Sequence, residues 1–393
     1  MLSAQVAANL GRASYVRKMF EQGEALKKIH GKDKVYDFSL GNPEGEPPDT
    51  VLEAFARCAA DRTPGMHRYM SNAGYMDARE RIAARIARKC GAPIEARHVV
   101  MTAGAAGGMN SVLKAILDPG DEVAVFAPYF KEYDFYAQNH GGKVVAVPTD
   151  PNTFQPDVDA LERAIGPRTR ALILNSPNNP SGAVYGADCY KSLAGALARC
   201  EGRHGSRLLV ISDEPYSSIV YDGAELPDVF SHFENSVVIN SYSKSHALAG
   251  ERIGFVAVNS AADGADALVD GVVFCSRVLG FVNAPAFLQR VIAQSLEEGV
   301  DISHYELRRE AVCQVLAEAG FDFMKPQGAF YLFPRILGDD EEAFKERALA
   351  HNILIVPGSG FAWPGRFRMA FCVSLETIRG SRQAFLDLAA EYR

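Results

Sequence analysis

The sequence predicts an α/β protein: a parallel sheet covered on both faces by helices, followed by a smaller α+β unit. Three observations predict it. Short continuous apolar runs of strand length recur from residue 99 to residue 258, the pattern of strands buried on both faces. Helical apolar spacing lies between several of them. Beyond about residue 300 the pattern changes to a long charged helix and shorter, mixed elements.

In chain order, the first 40 or so residues are polar and amphipathic. They run into SLGNPEGEPP (39–48), whose Gly and Pro density breaks any regular element. Val51–Ala60 and Tyr75–Cys90 read as helices. Val99–Thr102 reads as a strand, and Gly104–Leu117 as a helix with Met109, Val112, Leu113 and Ile116 at helical spacing. DPGDE (118–122) is a turn. Strands are then expected at VAVF (123–126), Lys143–Val147, Ala171–Leu174, Leu208–Ile211, Val237–Ile239 and Ile253–Val258, with a helix at Ala187–Cys200. In the last part, Ile302–Ala319 reads as a helix, QGAFYLFP (327–334) as a strand, and Glu341–Ala350 as a helix. Ile353–Val356 and Phe367–Val373 read as strands. The domain expectation is an N-terminal segment (1–46) joining a small C-terminal domain (301–393), with a large domain (47–300) between them. A chain of 393 residues is long enough for about two cores.

Composition excludes several classes. The net charge is −7, and no dense basic face argues for nucleic acid. The nearest candidate, Arg79, Arg81, Arg85, Arg88 and Lys89, reads as a solvated helix face beside Ile82 and Ile86. The seven cysteines are scattered, odd in number and without C-x-x-C, which fits free thiols in a reducing compartment. The nine histidines form no metal motif. No apolar stretch reaches the ~18 residues of a membrane span. The N-terminal residues lack a signal-like apolar region, so the expected location is the cytoplasm.

Four segments fall at the C-terminal ends of predicted strands, where open α/β sheets collect ligands. They are GAAGG (104–108), SPNNPSG (176–182), DEPY (213–216) and SYSKSHALAGER (241–252). Lys244 is an amine that could attack an aldehyde once deprotonated; alone, it would read as a solvated turn residue. Ser241, Ser243 and Arg252 surround it with donors suited to a phosphate. Gly104 opens a helix whose N-terminus could take the same phosphate, or simply allow close packing of helix on sheet. Asp213 ends an apolar strand, and a buried carboxylate there needs a cation such as a ring N–H⁺; the plainer reading is a helix cap. Tyr216 could direct its hydroxyl toward the same ring. Asn179 offers an amide N–H, or is only a turn former. Arg368 is the obvious cation for a substrate carboxylate, and Arg366 reads as a solvated loop residue.

Taken as an ordered set, Asn179, Asp213, Tyr216, Lys244, Arg252 and Arg368 resemble the class I/II (fold-type I) aminotransferases. That family includes the aspartate and aromatic aminotransferases. The resemblance runs from SLGNPEG to the C-terminus. It implies the fold-type I architecture, the cofactor pyridoxal 5′-phosphate (PLP) and amino-group transfer from an L-amino acid, of aspartate or aromatic type, to a 2-oxo acid such as 2-oxoglutarate. It implies that Lys244 bonds covalently to PLP and later acts as general base, and that Asp213 pairs with the ring nitrogen. Tyr216 and Asn179 would bond the ring oxygen. Gly104, Ala105, Ala106, Ser241, Ser243 and Arg252 would surround the phosphate. Phe130, with Tyr129 as its neighbour in register, would stack on the ring. Arg368 would bind the α-carboxylate with help from backbone at Gly41. Tyr69 would reach the phosphate of a second subunit, implying a homodimer.

There are departures. Ala106-Gly107-Gly108 stands where many relatives carry an acidic or polar residue, so the phosphate would lean on backbone N–H groups. His246 reads as a surface residue. Rival readings are a PLP-dependent β-lyase or decarboxylase, and a PLP-sensing transcription regulator. The regulator lacks room for a winged helix before SLGNPEG. A nicotinamide dehydrogenase would need a G-x-G-x-x-G after a strand, and none is present.

Overall fold

The computed structural model describes residues 1–12, 15–338 and 340–393. Twelve strands are present among them: β1 (Tyr36–Asp37), β2 (Val99–Thr102), β3 (Glu122–Phe126), β4 (Lys143–Val147), β5 (Thr169–Leu174), β6 (Leu209–Asp213), β7 (Ser236–Ser241), β8 (Gly254–Val258), β9 (Tyr331–Leu332), β10 (Ile353–Leu354), β11 (Val356–Pro357) and β12 (Phe367–Ala370). Seven form the central sheet in the order β2-β8-β7-β6-β5-β3-β4. Pairings among β7, β6, β5, β3 and β4 are parallel, whereas β8 runs antiparallel to both β7 and β2. The sheet is therefore mostly parallel, with one reversed strand. The reason is local: between β7 and β8 the α-helix is a single turn, Tyr242–Ser245, too short to carry the chain back across the sheet for a parallel return.

Each face of the sheet has its own core, as the period-two alternation of strand side chains requires. Ala124 and Phe126, Leu172 and Leu174, Val210, Phe255 and Ala257 pack on one face. Val123 and Val125, Ala171 and Ile173, Ile211, Val256 and Val258 pack on the other. That is why these segments read as unbroken apolar runs. On the second face, the helix Gly104–Ile116 packs against the helix Ala265–Val278. A Cβ at Gly108 would lie 2.9 Å from Val256 Cγ2, so this glycine permits the close approach of helix to sheet.

A third core gathers Phe38, Tyr305, Val312, Leu316, Phe321, Phe330, Phe344, Phe367, Phe371 and Phe385. Here β12 lies between β11 and β9, antiparallel to both, while β1 from the N-terminal segment pairs parallel with β10. The segment QGAFYLFP contributes only two strand residues. Its backbone turns at Ala329, which has φ 56°, and a Cβ at Gly328 would meet Ile219 O at 2.8 Å. The expected strand Ile353–Val356 is split between β10 and β11, which join different sheets.

Three residues read as solvent-facing are buried. Arg79 donates from Nε to Val99 O at 2.7 Å, closing the end of β2, while Arg88 on the same helix is the solvated residue expected, paired with Glu297 at 2.6 Å. Arg366 donates to Phe333 O at 3.0 Å and Pro151 O at 2.5 Å and lies over the Phe154 ring. Burial depresses its pKa to about 10. His246 is held between Ser295 O at 3.1 Å and Ser245 Oγ at 2.9 Å, with the Tyr242 ring edge-on. Burial pushes its pKa down to about 4. In each case carbonyls or hydroxyls left over by neighbouring elements recruit the polar side chain inward. No described helix is long and apolar enough to cross a membrane.

Candidate active site

Because β8 is reversed, the C-terminal ends of β2, β5, β6 and β7 emerge at one edge of the sheet. They open on a cavity of about 320 Å³. It is lined by Gly41, Ala105, Ala106, Phe130, Asn179, Asp213, Tyr216, Ser241, Ser243, Lys244, Arg252 and Arg368, twelve of the fourteen residues singled out from sequence. Gly104 lies beside it. Tyr69 does not line the cavity and is 90% exposed. Of the two aromatic candidates, Phe130 lines the cavity, while Tyr129 is buried with its hydroxyl on Asp134 at 2.8 Å.

The helix Gly104–Ile116 points its N-terminus at this edge, and Ala103 offers no side-chain cap. The first-turn N–H groups are thus available to an anion. Gly104 has φ +70°, and a Cβ there would lie 2.6 Å from Arg252 Nη2. Only glycine lets the guanidinium come this close to the helix start. Arg252 is itself left-handed (φ 55°) and is tied to Ala249 O at 3.0 Å. Ser241 and Ser243, both buried, complete this end.

Asp213 closes β6. Its Oδ2 accepts from Tyr133 Oη at 2.5 Å, and its carbonyl accepts from Asn175 Nδ2 at 2.9 Å. Its Oδ1 is buried with no hydrogen-bond partner. Burial raises its pKa to about 6, against the Tyr133 bond and with help from Glu214. A half-satisfied buried carboxylate facing a cavity calls for a cationic donor inside that cavity.

Lys244 sits in the single helical turn after β7. Its Nζ donates to Gly41 O at 2.6 Å and lies 5.6 Å from the centre of the Phe330 ring. Desolvation, with Arg368 and Arg252 nearby, lowers its pKa to about 8, although Cys372 acts in the opposite direction. The neutral amine that a nucleophile or base must be is therefore far more populated near neutral pH than for an ordinary lysine, though the protonated form still predominates below pH 8.

Arg368, on β12, reaches the cavity from the third core. Its Nη1 donates to Asn179 Oδ1 at 3.1 Å and its Nη2 to Ser39 O at 2.6 Å. The guanidinium lies against the rings of Tyr331 (4.7 Å) and Phe361 (4.8 Å). Its Nε is buried without a partner, so the fork is fixed while a donor is left for a carboxylate. Asn179 has its backbone N–H on Asn175 Oδ1 at 2.8 Å. With Oδ1 taken by Arg368, its Nδ2 remains as a donor.

Sequence reasoning missed Tyr133, Tyr136 and Tyr331, all of which line the cavity. Tyr133 lies in the first turn of the helix Glu132–Asn139, where an aromatic residue reads as core. Tyr331 stood inside a segment read simply as a strand, with no signal for the cavity.

PLP fits this chamber. Its phosphate matches the uncapped helix start with Arg252 and the two serines, its ring nitrogen the orphaned Oδ1 of Asp213, and its aldehyde Lys244. Fold and site thus define a PLP-dependent enzyme of fold type I. The model of the family "Aminotransferase class I and II" matches residues 33–384. The chain is 33% identical over 377 residues to an aspartate aminotransferase of Thermotoga maritima, covering 95% of this chain and 96% of the relative. It is 32% identical to an aspartate/prephenate aminotransferase of Thermus thermophilus, covering 88% and 89%. An aminotransferase structure from Eubacterium rectale superposes with a TM-score of 0.96 at 38% identity over the whole of both chains. The chain belongs to the class I and II aminotransferases. It is a transaminase that uses PLP and exchanges an amino group between an amino acid and a 2-oxo acid.

Proposed function

We propose that the cavity residues act in this transamination as follows, with an L-amino acid of aspartate or aromatic type as donor and 2-oxoglutarate as acceptor. The observation that carries the reading is the convergence of Lys244 Nζ, the unpartnered Asp213 Oδ1 and the fixed guanidinium of Arg368 on one chamber. The relatives named for aspartate, aspartate/prephenate and aromatic amino acids support the substrate classes.

The cofactor's phosphate would be held by the N–H groups of Gly104, Ala105 and Ala106 with Ser241, Ser243 and Arg252. Phe130 would hold the ring by its face. Asp213 would hold a proton on the ring nitrogen, and Tyr216 with Asn179 would hold the ring oxygen. When bound, PLP supplies the electron sink for the pair left at the substrate Cα. Arg368 would bind the α-carboxylate and thereby fix the orientation of the substrate Cα; Gly41 would contribute backbone beside it. Lys244 Nζ would take the Cα proton. Its depressed pKa keeps it able to accept that proton at neutral pH. The lining excludes much water through Phe130, Tyr133, Tyr136 and Tyr331, which strengthens the charge contacts inside.

The chain divides, in this reading, into a large unit (47–300) carrying the cofactor and a small unit (301–393) carrying Arg368 and joined by residues 1–46. The β1–β10 pairing supports the joining. Tyr69, 90% exposed, serves the phosphate of a second subunit in a cytoplasmic homodimer. The location is supported by seven free cysteines.

The test is a donor panel with 2-oxoglutarate, following glutamate formed. Aspartate or an aromatic amino acid should exceed alanine by at least about tenfold in kcat/KM, the discrimination one good pocket contact provides. Equal rates for all three would refute the substrate assignment. For the dimer, light scattering should give twice the chain mass, and Tyr69→Phe should weaken PLP binding.

A further inference from the structure

We propose that Tyr331 is a positioning residue of the reaction: its hydroxyl sharpens Tyr216 as a donor and its ring confines the guanidinium of Arg368. The proposal rests on the roles given above to Tyr216 and Arg368.

One side chain touches three parts of the site. Tyr331 Oη and Tyr216 Oη are 2.8 Å apart, and both residues are buried. The two rings meet nearly at right angles, 83° at 5.5 Å. The Arg368 guanidinium lies 4.7 Å from the Tyr331 ring centre, with Phe361 at 4.8 Å as the other aromatic contact. The same hydroxyl occupies the space left by the missing side chain of Gly41, where a Cβ would fall 2.0 Å from it. Gly41 is also the residue whose carbonyl accepts Lys244 Nζ at 2.6 Å. The absence of a side chain at residue 41 is thus what lets Tyr331 reach Tyr216.

The consequence follows from hydroxyl chemistry. A phenol has one proton to donate and lone pairs to accept. If Tyr216 directs its proton to the cofactor's ring oxygen, then in the Tyr216–Tyr331 pair Tyr331 must be the donor. Burial keeps both phenols protonated. A hydroxyl that accepts a hydrogen bond becomes a better donor, and the effect is larger in a desolvated site. Tyr331 therefore lowers the pH at which the lysine-linked cofactor loses its proton, by way of Tyr216 and without touching the reacting atoms. Its ring acts separately, on Arg368, by cation–π contact. Hydroxyl and ring should then affect different measurements.

The experiment is a visible-absorption pH titration of the holoenzyme, together with KM for the amino-acid donor, in Tyr216→Phe, Tyr331→Phe, Tyr331→Leu and the Tyr216→Phe/Tyr331→Phe double variant. Tyr331→Phe should raise the titration midpoint by about half a unit, as expected for a ~10–30% weakening of a charge-assisted bond. Its KM should stay within about twofold of wild type, because the ring remains over Arg368. Tyr331→Leu should shift the midpoint equally and raise KM roughly tenfold, as the loss of one desolvated ring contact of the guanidinium would, with Phe361 still in place. Tyr216→Phe should raise the midpoint by about one to two units, and adding Tyr331→Phe should give no further shift. If Tyr216→Phe shifts the midpoint and Tyr331→Phe does not, the proposal fails while the role of Tyr216 stands. Equal shifts from Tyr331→Phe with and without Tyr216 also overturn it. No shift in Tyr216→Phe removes the reading beneath it.

Discussion

Replacing Arg368 by Gln tests the carboxylate clamp. The guanidinium is 4% exposed, is fixed by Asn179 Oδ1 and Ser39 O, and keeps its Nε unpartnered. A substrate carboxylate would take two charge-assisted bonds from it, each worth about 1.5–3 kcal/mol. Their loss comes to about 3–6 kcal/mol, or a fall of about 10² to 10⁴ in kcat/KM at 1.4 kcal/mol per factor of ten. The assay is steady-state kinetics with the donor and, separately, the oxo acid; both should fall, because both carry the α-carboxylate. Arg368→Lys keeps the charge but not the planar fork, and should lie between. Substitution also strips donors from Asn179 and Ser39, so melting should be checked alongside. The reasoning is refuted if Arg368→Gln retains kcat/KM within about fivefold for both substrates, far less than the loss of even two such bonds, while the cofactor spectrum is intact.

Further predictions concern the cofactor's own contacts. Asp213 has a pKa raised to about 6 from 3.8; a raised pKa means stability present below the unfolded value and lost as pH rises through the folded one. In apoprotein, Asp213→Asn should therefore be more stable than wild type above pH 6, by about 3 kcal/mol from 2.2 units at 1.36 kcal/mol each, and the two should converge below about pH 4. Lys244 has its pKa depressed to about 8 from 10.5, the opposite sign: its contribution is lost as pH falls through 8. Apo Lys244→Met should accordingly gain stability over wild type below pH 8 and not above about pH 10.5; thermal melts against pH read both. Gly104→Ala would place a Cβ 2.6 Å from Arg252 Nη2 at φ +70°. It should weaken PLP binding at least about tenfold, the worth of one displaced charge-assisted bond, measured by fluorescence titration of apoprotein.

Much of the site was legible because its residues sit in glycine-, serine- and proline-rich punctuation after apolar strands, where type and order carry meaning. Asn179, Asp213, Lys244 and Arg252 come from such segments. Tyr133 and Tyr331 were not legible, because an aromatic residue in a helix or strand reads as core until its neighbours across the chain are known. Here those neighbours are Asp213, 80 positions away, and Tyr216, 115 away. The direction of β8 was hidden for a related reason. A buried antiparallel strand and a buried parallel one have the same apolar run, and only the length of the preceding connection separates them. Arg79, Arg366 and His246 were misjudged because residue type predicts exposure, whereas each meets a carbonyl that only the tertiary fold leaves unpaired. The two-residue strand β1 was not read, and β9, β10 and β11 lie in segments read as strands whose short lengths and division between sheets are set by packing.

The most direct test of the account is the absorption spectrum of the purified protein before and after adding single L-amino acids with no oxo-acid acceptor. The account predicts a visible band from PLP linked to Lys244, absent in Lys244→Ala. A good donor should convert it to the pyridoxamine form with one oxo acid released per site, and 2-oxoglutarate should restore it. A band that persists while product keeps accumulating would contradict transamination, and no band after PLP is supplied would contradict the role of Lys244.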